Sequence, residues 1–268
     1  MQASFWGVRG SVPWAGPALI RHGSNTPCLE IRDDRTDALI VLDAGTGLVG
    51  LGEALAGAGR TLPILLTHYH WDHIQGLPAF APMWSRGWTL EVHGPTFKAG
   101  DVRHIRRIFE PPFFTRPSEA PELFPEMHAI APGRCDVGGV SIAAVELNHP
   151  GGAMAYRVRG TAGDLVYATD HEFGDPMIDA RLAAFARGAS ALVSDAHFTP
   201  EEELAVKGWG HGTWARAAAF AAANSVERLW LFHHKPGRSD VEIDRLVGRA
   251  RAIFPATSAA AEGLRFDF

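Results

Sequence analysis

The 268-residue chain predicts an α/β fold, a layered sandwich of sheets with helices outside, and three observations carry that expectation. Short β-branched runs bounded by turn residues dominate the first part of the chain, helical spacings interleave with strands further on, and 46% of the residues are hydrophobic. A chain of this length can bury most of its unfolded surface in one core. No repeat at the 20–50-residue period of solenoids and no Ser/Gly/Pro linker divides it, so residues 1–268 are expected to form a single domain.

Strands are expected first at 4–8, 28–32 and 39–42, where Phe, Val, Ile and Leu run between Gly, Asn, Asp and Pro signals. A helical spacing over 50–58 follows, then strands at 64–67 and 90–93. Residues 94–132 differ, with Pro95, Pro111, Pro112, Pro117, Pro121, Pro125 and Pro132 in one stretch. That density excludes a core strand and predicts a short helix plus an irregular insertion, near 95–132, of the kind that overhangs an active site. Its cluster Arg103, His104, Arg106 and Arg107 reads as a solvated helix face that also suits a phosphate. Strands resume at 140–147, 155–158 and 165–168, followed by a helix at 178–186 and a strand at 191–194. Thr213 is placed to cap a helix over 213–223; a strand at 229–232 and a helix over 240–253 complete the order.

Composition excludes several classes. The formal charge of −5 gives no global attraction to nucleic acid, and the longest apolar stretches, 217–223 and 229–232, are far short of a bilayer span. Cys28 and Cys135 are distant and in no ligand spacing, so both read as reduced packing residues. The N-terminus Met1-Gln2-Ala3-Ser4-Phe5-Trp6 lacks the features of a signal peptide, which makes a cytoplasmic location the expectation.

The chemistry concentrates in Ile64-Leu65-Leu66-Thr67-His68-Tyr69-His70-Trp71-Asp72-His73, an apolar strand that runs directly into three His and an Asp. Packing that many polar rings and a carboxylate together costs several kcal/mol unless they are partnered, and a shared metal is the simplest partner. Ligands at i, i+2, i+4 and i+5 leaving a strand end fan out in two directions. His68 and His70 are therefore expected on one ion, Asp72 and His73 on a second.

In these four residues the sequence resembles the metallo-β-lactamase fold superfamily, whose His-x-His-x-Asp-His signature they match one for one. The resemblance implies a four-layer αββα sandwich. It also implies three later ligands, which fall on His149, on Asp170 as the carboxylate bridging two metals, and on His233. His234 is adjacent; His233 is chosen because it directly follows the apolar run, as the terminal ligand does in the family, and His234 would then point away. Asp170 in place of a Cys ligand, together with Gly210-His211-Gly212-Thr213, is similar to the ribonuclease Z and cyclic phosphodiesterase branch, in which the His corresponding to His211 is not a ligand. Arg9-Gly10-Ser11, Asn25-Thr26 and Phe232-His233-His234-Lys235-Pro236 resemble bacterial hydrolases near that branch, and Leu42-Asp43-Ala44-Gly45 looks like the family's early Asp-Gly turn. The long Lys-rich arm of tRNA-processing relatives has no counterpart, since 94–132 is short and carries only Lys98.

The implied activity is hydrolysis of a small or cyclic nucleotide-type phosphodiester by a water activated between two divalent ions, Zn or Mn with Fe also admitted by the donor set. Asp72 is expected to orient that water and His211 to protonate the leaving oxygen or bind the phosphoryl group. Neither extended nucleic acid nor a membrane is expected as a partner, and a homodimer is compatible with the sequence. Two alternatives use the same metals: lactone or thioester hydrolysis in an apolar pocket of Trp71, Trp84, Trp88, Phe113 and Phe114, and, less favoured, tRNA 3′ processing. Asp195 is expected to hydrogen-bond a ligand imidazole, and His171 and His197 to be non-ligands.

Overall fold

The computed structural model describes residues 1–55, 57, 59–115 and 124–268. Its first half contains β1 (Gln2–Gly7), β2 (Cys28–Asp33), β3 (Ala38–Leu42), α1 (Gly47–Ala54), β4 (Thr61–Leu65), α2 (Trp71–Ile74), β5 (Thr89–Pro95) and β6 (Glu126–Ile130). Next come β7 (Gly133–Val137), β8 (Val140–Leu147), β9 (Ala153–Arg159), β10 (Asp164–Ala168), α3 (Pro176–Ala186) and β11 (Ala191–Asp195). The chain finishes with α4 (Pro200–Glu203), α5 (Trp214–Ala223), β12 (Leu229–Phe232), α6 (Asp240–Arg251), β13 (Thr257–Ala259) and β14 (Arg265–Asp267).

The strands form two seven-stranded sheets, ordered β14-β1-β2-β3-β4-β5-β6 and β13-β12-β11-β10-β9-β8-β7. Each begins as an antiparallel meander and turns parallel, from β3 onward in the first and from β10 onward in the second. Alternation along each strand builds two kinds of interface. In β10, Leu165 and Tyr167 face the opposing sheet with Phe5, Ile31, Ile142 and Tyr156, while Val166 and Ala168 face the helices with Leu182, Trp214 and Ile243. On the other outer face Leu48 and Leu51 of α1 cover Val41 and Ile64. Helix, sheet, sheet and helix are thus stacked as the metallo-β-lactamase fold requires.

The parallel strands matter most, because β3, β4, β10, β11 and β12 all end at one rim, where the turns carry the polar residues of the sequence motifs. Three of those turns hold a non-glycine residue in the left-handed region, Asp43, Asp170 and His233, at φ of 61°, 58° and 57°. Asp and His tolerate that region better than most side chains, yet it still costs about 1–3 kcal/mol each, a strain characteristic of functional turns.

The Pro-rich stretch departs from expectation. The segment over Val102–Phe109 is a 3₁₀ helix, but β5 extends through Pro95 and Glu126–Ile130 is a parallel edge strand beside it. An edge strand pairs on one side only, and Glu126, His128 and Ala129 are exposed, so no apolar pattern announces it. Pro117 and Pro121 lie outside the described residues. Cys28 and Cys135 are unpaired, and among the described residues no helix is long and apolar enough to cross a membrane.

Candidate metal centre

The seven residues singled out as ligands converge on the rim. From the β4 turn, His68 and His70 meet His149, which follows β8, with one ring nitrogen of each within 4.8 Å of the others. His70 Nδ1 and His149 Nε2 face each other at 3.0 Å. From α2, Asp72 and His73 meet His233 after β12; His233 Nε2 is 3.1 Å and His73 Nε2 3.4 Å from Asp72 Oδ2. Asp170, after β10, lies between the two groups. Its Oδ1 is 3.9 Å from His68 Nε2, while its Oδ2 is 3.3 Å from His73 Nε2 and 3.4 Å from His233 Nε2. His234 points away and donates from Nε2 to the Ala260 carbonyl at 3.1 Å.

These groups are ordered by contacts behind them. Asp43, fully buried, accepts from the Thr67 amide at 2.8 Å, the Thr67 hydroxyl at 3.0 Å, the Tyr167 hydroxyl at 2.9 Å and His73 Nδ1 at 2.8 Å. The Thr67 hydroxyl in turn accepts from His68 Nδ1 at 3.0 Å. His149 Nδ1 donates to the Gly210 carbonyl at 2.8 Å. Each contact occupies the rear nitrogen of its ring, so His68, His73 and His149 all present Nε2 forward, the tautomer a metal requires.

Two observations test whether cations fit here. His68 Nε2 and His73 Nε2 are buried with no hydrogen-bond partner, although such groups are normally satisfied. Burial, reinforced by the neighbouring His73, pushes His68 well below its ordinary range, so it offers a neutral nitrogen. Burial opposes ionisation of Asp170, but His233 and His73 hold its carboxyl well below the usual range. Five imidazoles and two carboxylates, one of them between the two groups, make a donor set consistent with two divalent ions.

His211 stands beside both groups. Its Nδ1 is 2.9 Å from Asp195 Oδ2 and 3.6 Å from Asp170 Oδ1, and its ring packs on His197 and His233 at centroid distances of 4.4 and 5.0 Å. Burial works against its charge, but Asp195, then Asp170 and Asp72, raise its pKa to about 9; bound cations would push it back down. Asp195 therefore does something other than expected: it holds His211, and is 3.7 Å from His233 Nδ1, beyond hydrogen-bond reach. It also accepts from the Asp170, His197 and Gly212 amides, tying three turns together. His171 is bound to Asp179, and His197 Nδ1 donates to the His233 carbonyl. Thr213 caps α5 by accepting from the Arg216 amide.

Other expectations meet a different geometry. Trp84 and Trp88 pack against the core beneath the first sheet, Trp84 stacked on Phe114, and Phe113 is exposed; only Trp71 borders the rim. Of the basic cluster, Arg103 pairs with Asp101 and Arg106 lies over the Phe124 ring. Sequence reasoning missed Glu172, whose carboxylate holds the loop before His211, the part played by Asp43, and that of Gly10, where a Cβ would lie 2.3 Å from His233 Nδ1. Asp43 left a signal, a carboxylate ending an apolar strand, and Gly10 stood in the motif Arg9-Gly10-Ser11, which gave no hint of its contact.

The chain matches the β-lactamase superfamily domain over residues 39–234 and belongs to that family. It is 28% identical to a ribonuclease Z of Bradyrhizobium sp. across 96% of both chains. Among solved structures it is similar to a metallo-β-lactamase fold protein of Bacillus subtilis, with a TM-score of 0.77 at 20% identity over 99% of each chain. A diphosphatase of the PhnP family gives a TM-score of 0.71 at 18% identity, over 100% of this chain and 97% of the other. Family and donor clusters together define the class, a metal-dependent hydrolase of the metallo-β-lactamase fold.

Proposed function

We infer that the protein is a phosphodiesterase acting on a small or cyclic nucleotide-type phosphodiester. The observation that carries this is His211, a hydrogen-bond donor outside the two ligand groups, fixed by Asp195 and opening onto a cavity of about 450 Å³. Lys207, His211 and Arg216 line that cavity beside Glu172, Asp175 and Glu203, and its size suits one nucleoside-sized group. The ribonuclease and diphosphatase relatives share hydrolysis at phosphorus, which supports the same bond class.

His68, His70, His149 and Asp170 would hold one cation, and Asp72, His73, His233 and Asp170 the other. Bound there, divalent ions supply Lewis acidity to the phosphoryl oxygens and lower the pKa of an attacking water. The chain's own residues do the rest. With Nδ1 committed to Asp195, His211 presents Nε2–H to the departing oxygen, whose alkyl or nucleoside group enters the cavity beyond. Asp72 Oδ2, which accepts the Ser11 amide at 2.7 Å, keeps its carboxylate turned toward His233 and is placed to orient the water.

His211→Ala tests this. Folding and metal content should persist while kcat falls roughly 100-fold or more, with a smaller change in KM. The loss should be greater for a nucleoside alkoxide leaving group than for p-nitrophenolate, which departs unaided. Unchanged kcat on every phosphodiester would overturn the assignment. The 28% identity to ribonuclease Z along 96% of the chain favours pre-tRNA as the second substrate class. Efficient pre-tRNA cleavage that collapses with rising salt would promote it, because such binding engages many phosphates.

A further inference from the structure

The segment 208–211 delivers His211 to the centre without belonging to any helix or strand, and both of its glycines are left-handed, Gly208 at φ 86° and Gly210 at φ 85°. Such a segment needs an external anchor, and a single carboxylate supplies it. Glu172 Oε1 and Oε2 accept the Gly208 amide at 2.8 and 2.9 Å, and Oε2 also accepts the Gly210 amide at 2.8 Å. Glu172 is itself fastened to Asn148: its amide donates to the Asn148 carbonyl at 3.0 Å, and Asn148 Nδ2 donates to its carbonyl at 2.8 Å. The next residue after Asn148 is His149, whose Nδ1 donates to the Gly210 carbonyl. These contacts close a ring through 148–149, 172 and 208–210.

The ring has little slack. A Cβ built on Gly210 would lie 2.1 Å from His149 Nδ1 and 2.4 Å from Pro150 Cδ, so backbone and imidazole are already in contact. We propose that Glu172 is a positioning residue for the centre. By holding the Gly208 and Gly210 amides it aims the Gly210 carbonyl at His149 Nδ1, so that His149 turns Nε2 toward His68 and His70, and it sets His211 against Asp195. Hydrogen bonds from backbone amides to a carboxylate are charge-assisted and among the stronger ones available. The proposal rests on the donor clusters being metal sites, and its test separates the two ideas.

Wild type, Glu172→Gln and Glu172→Ala are stripped of metal and titrated with Zn²⁺ against a chromophoric chelator. Wild type should bind two ions. Glu172→Ala should keep one at wild-type affinity and bind the other about 10- to 100-fold more weakly, the usual cost of losing a contact that orients a ligand. Glu172→Gln should fall between, because its amide keeps one acceptor but turns an N–H toward the Gly208 N–H. No uptake by wild type would overturn the metal reading; two ions at unchanged affinity in Glu172→Ala would overturn the clamp. If circular dichroism shows Glu172→Ala unfolded, Glu172→Gln decides by the same criterion. Saturating Zn²⁺ should restore occupancy in Glu172→Ala without restoring kcat, and full recovery of kcat would overturn the part of the proposal that concerns His211.

Discussion

Gly10→Ala should empty half of the centre without unfolding the protein. The segment containing Gly10 runs beside the end of β12: the Gly10 amide donates to the His234 carbonyl, and His234 returns a bond to Val8. A Cβ at Gly10 would lie 2.3 Å from His233 Nδ1, 2.4 Å from its Cε1 and 2.8 Å from His197 Nδ1, where ordinary contact begins at 3.4 Å. The segment cannot retreat, since the buried Arg9 side chain is bonded at 2.7 Å to both the Gly23 and Arg238 carbonyls. The imidazole must therefore move by roughly 1 Å, although it is fully buried and packed against His73, His197 and His211. A displacement of about 1 Å at a reacting centre costs on the order of 100-fold in rate. Elemental analysis should show metal content falling from two toward one per chain, with kcat at least ~100-fold lower. Overpacking should also cost about 1–3 kcal/mol of stability. A Gly10→Ala protein with wild-type metal content and turnover would refute the reasoning, because it would place the His233 ring where it has room to spare.

Asp43→Asn exchanges an acceptor-only carboxylate for an amide that must turn N–H toward either Thr67 or the Tyr167 and His73 donors. Thermal melts should show a loss of about 1–3 kcal/mol, and metal titration should show weaker binding at the Asp72, His73 and His233 group. An unchanged melt would show that these contacts are dispensable. Glu202 offers a pH signature: burial opposes its charge, but Lys235, the Thr199 amide and Arg238 hold it at about 2. A depressed folded-state pKa contributes stability above the unfolded value near 4.5 that is lost as pH falls toward 2. Glu202→Gln should therefore lower the melting temperature at pH 6 but leave it close to wild type near pH 2, and equal losses at both would refute the assignment.

Much of the fold was legible because burial wrote it into the chain. Strands covered on both faces, such as β4, β10 and β12, are continuous apolar runs whose ends the sequence locates to within three residues. Helices α3, α5 and α6 showed their apolar spacing for the same reason. What escaped was what solvent and length conceal. In β7, Gly133, Arg134 and Asp136 are exposed, and β13 and β14 are three residues each, too short for a period to appear. The near-twofold correspondence of the two sheets is invisible as a repeat, since it lies in strand order and direction rather than in side chains.

The centre follows a similar rule at a finer scale. Donors that leave a strand end within six residues, His68 to His73, cannot be mistaken for packing, and His149, Asp170 and His233 become readable once their strands are in order. Groups that act through backbone atoms leave no such trace. Glu172 grips amides, which every residue but proline possesses, and Gly10 acts by what it lacks, so neither selects a recognisable partner in sequence. Asp195 shows the intermediate case. Its acidic side chain at the end of β11 was expected to bond a ligand imidazole, but it bonds His211 at 2.9 Å and lies 3.7 Å from His233 Nδ1. Those distances are set by how β11 and β12 lie side by side and by the loop that Glu172 anchors. His211 is thus held on its ring by Asp195, while Glu172 holds the Gly208 and Gly210 amides of the loop that leads to it, a contact that no residue type in the sequence announces.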